Sequence, residues 1–535
     1  MTSEHIEIDN GGWNKLPTEL RDMILERCTW QSHGQVASVA GTEPLAVLAT
    51  VCRSWQDFFE GKLFQRLTLE TEADIEDFHN LVQGRRRAHV EWIWLSIELP
   101  MYDCQQCHRR ETYKEIQDQN ATFTKLVWNL FTVLFKWENK EVRHRGITLE
   151  LSAHSPSDAH HFNKNLRFHQ HDTAWNKDDG PVSPHNDPFH GWEDGIQIKR
   201  IPVNAKYRLF GSGLEFDCNS PSGMCLPNSP SGMCLPKVSV VTCFIIRRQS
   251  PRFFNAKWAL RPMIHSLIRL SSFTYEPWRG PTISRQREQA WLNASLAKEA
   301  LKSGTSLKKV SIFESHDGIF YRPTYESMAC HGFVDSFSRE LARSSHHLEE
   351  LHAANNVDAF EFFYAFQPQA SPEESRWMVW KDLKYLSLTT LHLFSYEHDS
   401  SILLMAARAA ERMPKLEMME LWDWGKLWGP ACIFRFRRDE TEASIELVST
   451  WPWCSTFSEA QKAAWTRVAT ANRPLPLHVK EGRLHTGGRR PGEGVYCVLR
   501  QLELVDHVLH PISLRQIARD DQRRREEIRA KMIRP

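Results

Sequence analysis

The segment Cys104-Gln-Gln-Cys107-His108 packs more potential chemistry into five residues than any other stretch of the chain. Two thiolates two residues apart can share one Zn2+, and His108 or the downstream His144, His154, His160 and His161 could supply nitrogen ligands. The same letters fit a c-type haem attachment pattern, and a Cys-x-x-Cys pair can also cycle between dithiol and disulfide. A full zinc motif needs a second pair at matching spacing, haem attachment needs an export route, and a redox pair needs thioredoxin-like surroundings. The sequence offers none of the three, so no metal and no cofactor is assigned from it. Histidines crowd the stretch from His144 to His190, eight of the 25 in the chain, among Pro, Asn and Asp, which reads as a solvated loop cluster. A Gly-rich phosphate loop, a G-x-S-x-G elbow and an H-E-x-x-H helix are all absent. No catalytic residue is expected, and the chain reads as non-enzymatic.

The elements that would position such residues come from an ordinary globular composition. The 535 residues are 41 % hydrophobic and 25 % charged, which excludes wholesale disorder. Lys+Arg 67 against Asp+Glu 66 leaves a formal charge of +1, so a global basic field for nucleic acid is absent. Trp is abundant at 20 and accompanies 28 Phe and 10 Tyr, a supply of rigid apolar anchors for thick cores or interfaces. The N-terminus shows no secretory pattern, and the longest uncharged apolar runs, Leu126 to Phe135 and Val238 to Ile246, are about half of a membrane span. The expectation is a protein without membrane segments, cytoplasmic and/or nuclear, whose 12 Cys are mostly buried thiols.

Leu16-Pro17-Thr-Glu-Leu20 opens the most patterned region. Pro17 suits a first helical turn, and Leu20, Met23 and Ile24 follow at helical spacing, with Leu25 broadening the stripe. A Gly-, Ser- and Gln-containing stretch interrupts, and Pro44 reopens a helix on which Leu45, Leu48, Cys52 and Trp55 share one side while Val47 and Val51 share another. A helical unit of about 50 residues with two apolar faces is marginal alone and needs a neighbour, either the rest of this chain or another subunit.

These residues resemble a known module. Leu16-Pro17-x-Glu19-Leu20-x-x-x-Ile24-Leu25, then Leu45-x-x-Leu48-Ala49-x-Val51-Cys52-Arg53-x-Trp55, then Leu63-Phe64-x-x-Leu67, is similar to an F-box. That is a three-helix motif that docks on a Skp-type adaptor of cullin-RING ubiquitin ligases. The connection from Thr29 to Glu43 is longer than the module's usual turn. The resemblance implies that Leu16, Pro17, Leu20, Ile24, Leu25, Leu45, Leu48, Val51, Cys52 and Trp55 either touch the adaptor or form the small core behind the contact. Tyr102-Asp-Cys-x-x-Cys107 and Leu149 to Asp158 also look similar to F-box proteins of filamentous fungi, whose targets are uncharacterised.

Downstream, strand-like runs recur at Leu67–Leu69, Val90–Leu99, Ile147–Leu151, Val238–Ile246, Leu270–Tyr275, Leu307–Ile312, Leu348–Leu351, Leu383–Leu388, Leu416–Leu421 and Leu499–Leu504. The starts at 270, 307, 348, 383 and 416 are 37, 41, 35 and 33 residues apart, with helical patterns between strands. Strand followed by helix at each step predicts an irregular leucine-rich-repeat-like α/β solenoid; a mixed α/β sheet domain is the alternative.

The expected organisation is α/β: a disordered N-terminus at 1–12, an F-box at 13–70, and the repeat-like domain at 71–510. Disordered insertions are expected at about 163–194, 219–236 and 474–494, followed by a basic C-terminal helix or tail at 511–535. The second insertion holds an identical nine-residue tandem, Asn219 to Pro227 and Asn228 to Pro236, which a surface loop tolerates. Trp422, Trp424 and Trp428 could line a binding rim or belong to the core. Taken together, the resemblance implies a non-catalytic subunit of an SCF-type E3 ubiquitin ligase, binding a Skp-type adaptor and an unidentified protein substrate, with no nucleic acid partner. The alternatives are an adaptor-bound scaffold, or a zinc-binding protein centred on Cys104 and Cys107.

Overall fold

Alternating side chains dictate one large sheet. In the computed structural model twelve strands pair edge to edge in chain order. They are β1 (Arg66–Leu69), β2 (Trp92–Glu98), β3 (Ile147–His154), β4 (Val241–Ile246), β5 (Ser272–Tyr275), β6 (Lys309–Phe313), β7 (Glu350–Ala354), β8 (Tyr385–Thr389), β9 (Met418–Trp424), β10 (Ala431–Arg438), β11 (Ala443–Ser449) and β12 (Leu477–Arg483). The structure describes residues 13–32, 43–137, 146–164, 166, 186–217, 235–301, 306–315, 331–367, 372–390, 393, 401–425, 430–451, 456–471, 474–485 and 494–533. Strands β1 to β9 are parallel throughout, β10 and β11 run antiparallel to their predecessors, and β12 returns parallel to β11. The protein is therefore mixed α/β, with a large, mostly parallel sheet and many helices.

Register separates the two faces. Ile93, Leu149, Phe244, Phe273, Val310, Leu351, Leu386, Met419, Phe436 and Ile445 align across neighbouring strands and are all buried. Their face packs against helices that return the chain to the next strand. These include α4 (Glu72–Leu81), α5 (Tyr113–Phe135), α7 (Ile283–Ala300), α8 (His331–Ser344), α9 (Ser401–Ala410) and α10 (Glu459–Thr470); α6 (Val203–Phe210) lies in the connection from β3 to β4. One residue along, the period of two puts Glu150, Ser311, His352, Ser387, Glu420 and Arg435 on the opposite face, and these are buried as well. A polar sheet face that is nevertheless dry must be covered. The cover is the C-terminal segment, residues 494–533, ending in helix α11 (Pro511–Ile533).

Strands β1 to β9 fall on the runs that alternation predicts. Leu499–Leu504 does not: it is a short helix, Tyr496–Leu499, and a turn, because Leu499, Leu502 and Leu504 point into the sheet's second core with Trp422 and Ile433. Trp422 and Trp424 belong to that core and line no rim, with Trp422 Nε1 donating to Ser387 Oγ at 3.1 Å; Trp428 lies outside the described residues. Parts of the expected disordered insertions are built. Residues 186–194 hold the 3-10 turn Pro188–His190, in which His190 is buried, residue 235 is in the main core, and 477–483 form β12; residues 165, 167–185, 219–234 and 486–493 of those insertions, like residues 1–12, lie outside the described residues.

At the N-terminal edge, α1 (Thr18–Ser32), α2 (Glu43–Leu48) and α3 (Arg53–Gln65) gather around Leu25, Leu45 and Phe59. Helix α3 runs directly into β1. Arg86 meets the buried Glu60 at 2.7 Å and Arg85 meets Asp57 at 2.5 Å, which ties α3 to the 3-10 turn Gly84–His89 before β2.

Candidate functional site

The ten residues singled out in and beside the first helices divide into three groups. Leu25 and Leu45 are buried with Phe59, and Leu48 and Trp55 pack around that cluster, so these are the core behind any contact. Cys52 is half-buried and caps α3 in an extended conformation, its sulfur 3.2 Å from Ser54 Oγ; Leu16 is half-buried at the entry to α1, where Pro17 is exposed. Leu20, Ile24 and Val51 are exposed, at 45 %, 41 % and 58 %. Met23 and Val47, outside the original ten, are more exposed still. Spacing of three and four places Leu20, Met23 and Ile24 on one side of α1. Five large apolar side chains, three on α1, one on α2 and one in the turn from α2 to α3, thus face solvent over a small closed core.

A second cluster forms where three loops meet beyond the ends of β2 and β3. Asp103 accepts hydrogen bonds from the backbone of Gln105 and Gln106 at 2.8 and 3.0 Å, curling Cys104 to Cys107 into a turn. His161 follows the Pro156–Ala159 turn, which Ser155 and Asp158 cap reciprocally. His190 ends the Pro188–His190 turn that Asp187 caps, and Gly191 leaves it at φ 80°, where a Cβ would meet Lys199 Cβ at 2.7 Å. Trp192 Nε1 and Gln197 Nε2 both donate to Phe162 O, binding the last loop to the second. Cys104 Sγ lies 3.5 Å from His161 Nδ1 and 3.7 Å from His190 Nε2, and Cys107 Sγ lies 3.6 Å from the same Nε2.

Burial, with the Cys104 sulfur beside it, pushes the Cys107 thiol up to about 11. Burial likewise lowers His161, and His190 adds to the effect. Asp187 holds His190 Nδ1 at 2.7 Å; burial opposes its charge, yet hydrogen bonds from Lys164 and His190 bring it down to about 2. Of the ligands the sequence offered, His161 is in the cluster, while His108 and His160 are exposed, His154 is buried within β3, and His144 lies outside the described residues. His190 was missed, although Asp187-Pro188 before it and Gly191 after it spell a capped turn with a left-handed exit.

The third feature is the polar sheet face and its cover. Glu420, fully buried, accepts from Arg435 Nε at 2.6 Å and from the backbone N–H of Glu503 and Leu504 at 3.0 Å each. Ser311 Oγ donates to Val508 O at 2.8 Å. Glu276 accepts from the backbone of His510 at 2.7 Å and from Ser513, and Arg248 meets Asp520 at 2.9 Å. The segment therefore crosses the sheet from β9 back to β5, against the chain's own order.

A protein-family model described as a family of unknown function (DUF6546) matches residues 301–510. The match takes in β6 to β12 and the start of the covering segment, and leaves out both α1 to α3 and the Cys/His cluster. No curated protein and no solved structure matches the chain. Among the described residues no helix is long and apolar enough to cross a membrane.

Proposed function

We propose that this chain is the substrate-recognition subunit of an SCF-type cullin-RING ubiquitin ligase. It docks a Skp-type adaptor through α1 to α3, read as an F-box, and presents a target protein through the sheet domain, read as an irregular leucine-rich-repeat-like solenoid. The observation that carries the reading is the exposure of Leu20, Met23, Ile24, Val47 and Val51 over a core closed by Leu25, Leu45 and Phe59. Apolar side chains gathered at one end of a chain that has its own closed core mark a partner's site. Strand order equal to chain order supports the repeat reading. Such a subunit performs no bond chemistry; holding adaptor and target together raises the effective concentration of a target lysine near the charged E2. Co-purification with a recombinant Skp-type adaptor tests this. The pair Leu20→Asp with Ile24→Asp is expected to abolish the complex while the melting temperature holds, and an unchanged yield of complex sinks the reading.

One observation favours a second reading, an adaptor-bound scaffold or regulator that turns over no target. The chain's own residues 494–533 already occupy the polar face. Proteins that accumulate on deletion of the gene but are insensitive to proteasome inhibition decide for it.

A further inference from the structure

The geometry points to a structural zinc site formed by Cys104, Cys107, His161 and His190. With Zn–S about 2.3 Å and Zn–N about 2.0 to 2.1 Å at tetrahedral angles, a sulfur and a nitrogen ligand of one ion sit about 3.6 Å apart. Three of the four sulfur–nitrogen edges of such a cluster, Cys104 to His161, Cys107 to His190 and Cys104 to His190, are 3.5, 3.6 and 3.7 Å, and Cys104, His161 and His190 offer donor atoms within 4.8 Å of one another. Three of the four residues, Cys107, His161 and His190, are buried, so the donors converge on an interior point. Two thiolates balance the charge of a divalent ion, and a two-sulfur, two-nitrogen tetrahedron selects zinc over the harder cations.

The surroundings complete the site. Asp187 Oδ2 takes His190 Nδ1 at 2.7 Å, which leaves Nε2 to face the sulfurs; the carboxylate itself is fixed by Lys164 at 2.9 Å. His161 is hydrogen-bonded to the Tyr102 backbone and turns Nδ1 toward Cys104. The loops so joined have little apolar core of their own: Cys107, Phe162, Ile201 and Ala205, with Tyr102 against them. Irregular segments with so small a core need a staple, and a metal supplies one. With four protein ligands no coordination position is left for substrate, so the ion organises the three loops and does no catalysis. The inference is independent of the adaptor reading, since none of these residues lies in α1 to α3.

The test is metal analysis of the full chain, purified without chelator, with a thiol-reactive release assay read by a zinc dye. One zinc per chain is expected, and a cobalt-exchanged protein is expected to show the intense visible bands of a tetrahedral thiolate site. Cys104→Ser and His190→Ala are expected to lose the metal, Asp187→Asn to weaken it by about 10- to 100-fold, and His108→Ala and His160→Ala to keep it. Should the ligand variants fail to fold, chelator added to the native chain is expected to lower its melting temperature and zinc to restore it. A folded wild-type chain that holds no stoichiometric metal, or a His190→Ala chain that retains it, overturns the proposal.

Discussion

His507 Nδ1 lies 3.0 Å from Glu350 Oε2, a contact that joins the C-terminal segment to a strand 157 positions earlier in the chain. The ring also faces His352 at 5.6 Å and Tyr385 at 5.5 Å, with Lys309 on the far side of the same carboxylate.

That contact makes the cover pH-sensitive. The Glu350 hydrogen bond raises His507 above its usual value, so its contribution is complete below the unfolded histidine's pKa and is lost as pH rises through the raised one. Glu350 is held down to about 2, burial opposing and His507 and Lys309 prevailing, so its share is lost only as pH falls toward that value. Buried His352, lowered to about 3 with His507 adding to the effect of burial, opposes folding in acid. The hydrogen-exchange protection of residues 494–510, relative to the unfolded chain at each pH, is expected to fall between about pH 6 and pH 8, the histidine range, and His507→Gln to flatten that dependence. A flat wild-type profile removes the switch.

Glu420 is the keystone of the same face. Glu420→Gln removes the buried carboxylate nearest Arg435, leaving it Glu446, the more distant Glu503 and the Gln501 carbonyl, and asks an amide to satisfy two backbone N–H groups. The expected cost is about 3 kcal/mol in urea unfolding, with residues 494–510 becoming protease-sensitive first. A change below about 0.5 kcal/mol, typical of a surface site, contradicts the assignment.

Neighbouring residues in α1 should behave oppositely. Ile24→Asp replaces an exposed side chain and is expected to shift stability by under about 0.5 kcal/mol while destroying adaptor binding. Leu25→Ala empties the small core and is expected to cost about 2 to 4 kcal/mol, loosening α1 to α3 in exchange experiments. Equal effects of the two substitutions on stability contradict the division into face and core.

Arg252 sits fully buried between Asp158 and Glu111, at 2.8 and 2.7 Å. Arg252→Ala takes the cation from both carboxylates, leaving Asp158 with Tyr102 and the Ser155 N–H and Glu111 with Gln119, and is expected to cost about 3 to 5 kcal/mol. Arg252→Met, measured beside it, keeps an apolar stem while losing the charge and the guanidinium hydrogen bonds, so the difference between the two variants reports packing.

Residue periodicity made much of this legible. Leu383 to Leu388 and Leu416 to Leu421 alternate because one face must meet the helices, and they lie within or beside β8 and β9. The hairpin β10 and β11 was overlooked although Ile433, Phe434 and Phe436, then Ile445 and Leu447, carry the same sort of apolar pattern on either side of Asp439–Glu442. Leu499 to Leu504 misled for the opposite reason. Its spacing matches a strand, but the N–H groups of Glu503 and Leu504 are satisfied by the Glu420 carboxylate in place of a neighbouring strand, a partner more than eighty residues away that no local window contains. His190 stayed hidden because its polar neighbours resemble a solvated loop, whereas the Trp192 and Gln197 contacts to Phe162 that bury it are long-range.

The strap across the polar face also fixes when the molecule can be finished. Glu276 and Glu420 are synthesised well before the partners at Glu503 to Ser513 that their carboxylates hold. A chain cut short near residue 490 would leave the Glu276 and Glu420 carboxylates open to water, without the backbone donors of Glu503, Leu504 and His510.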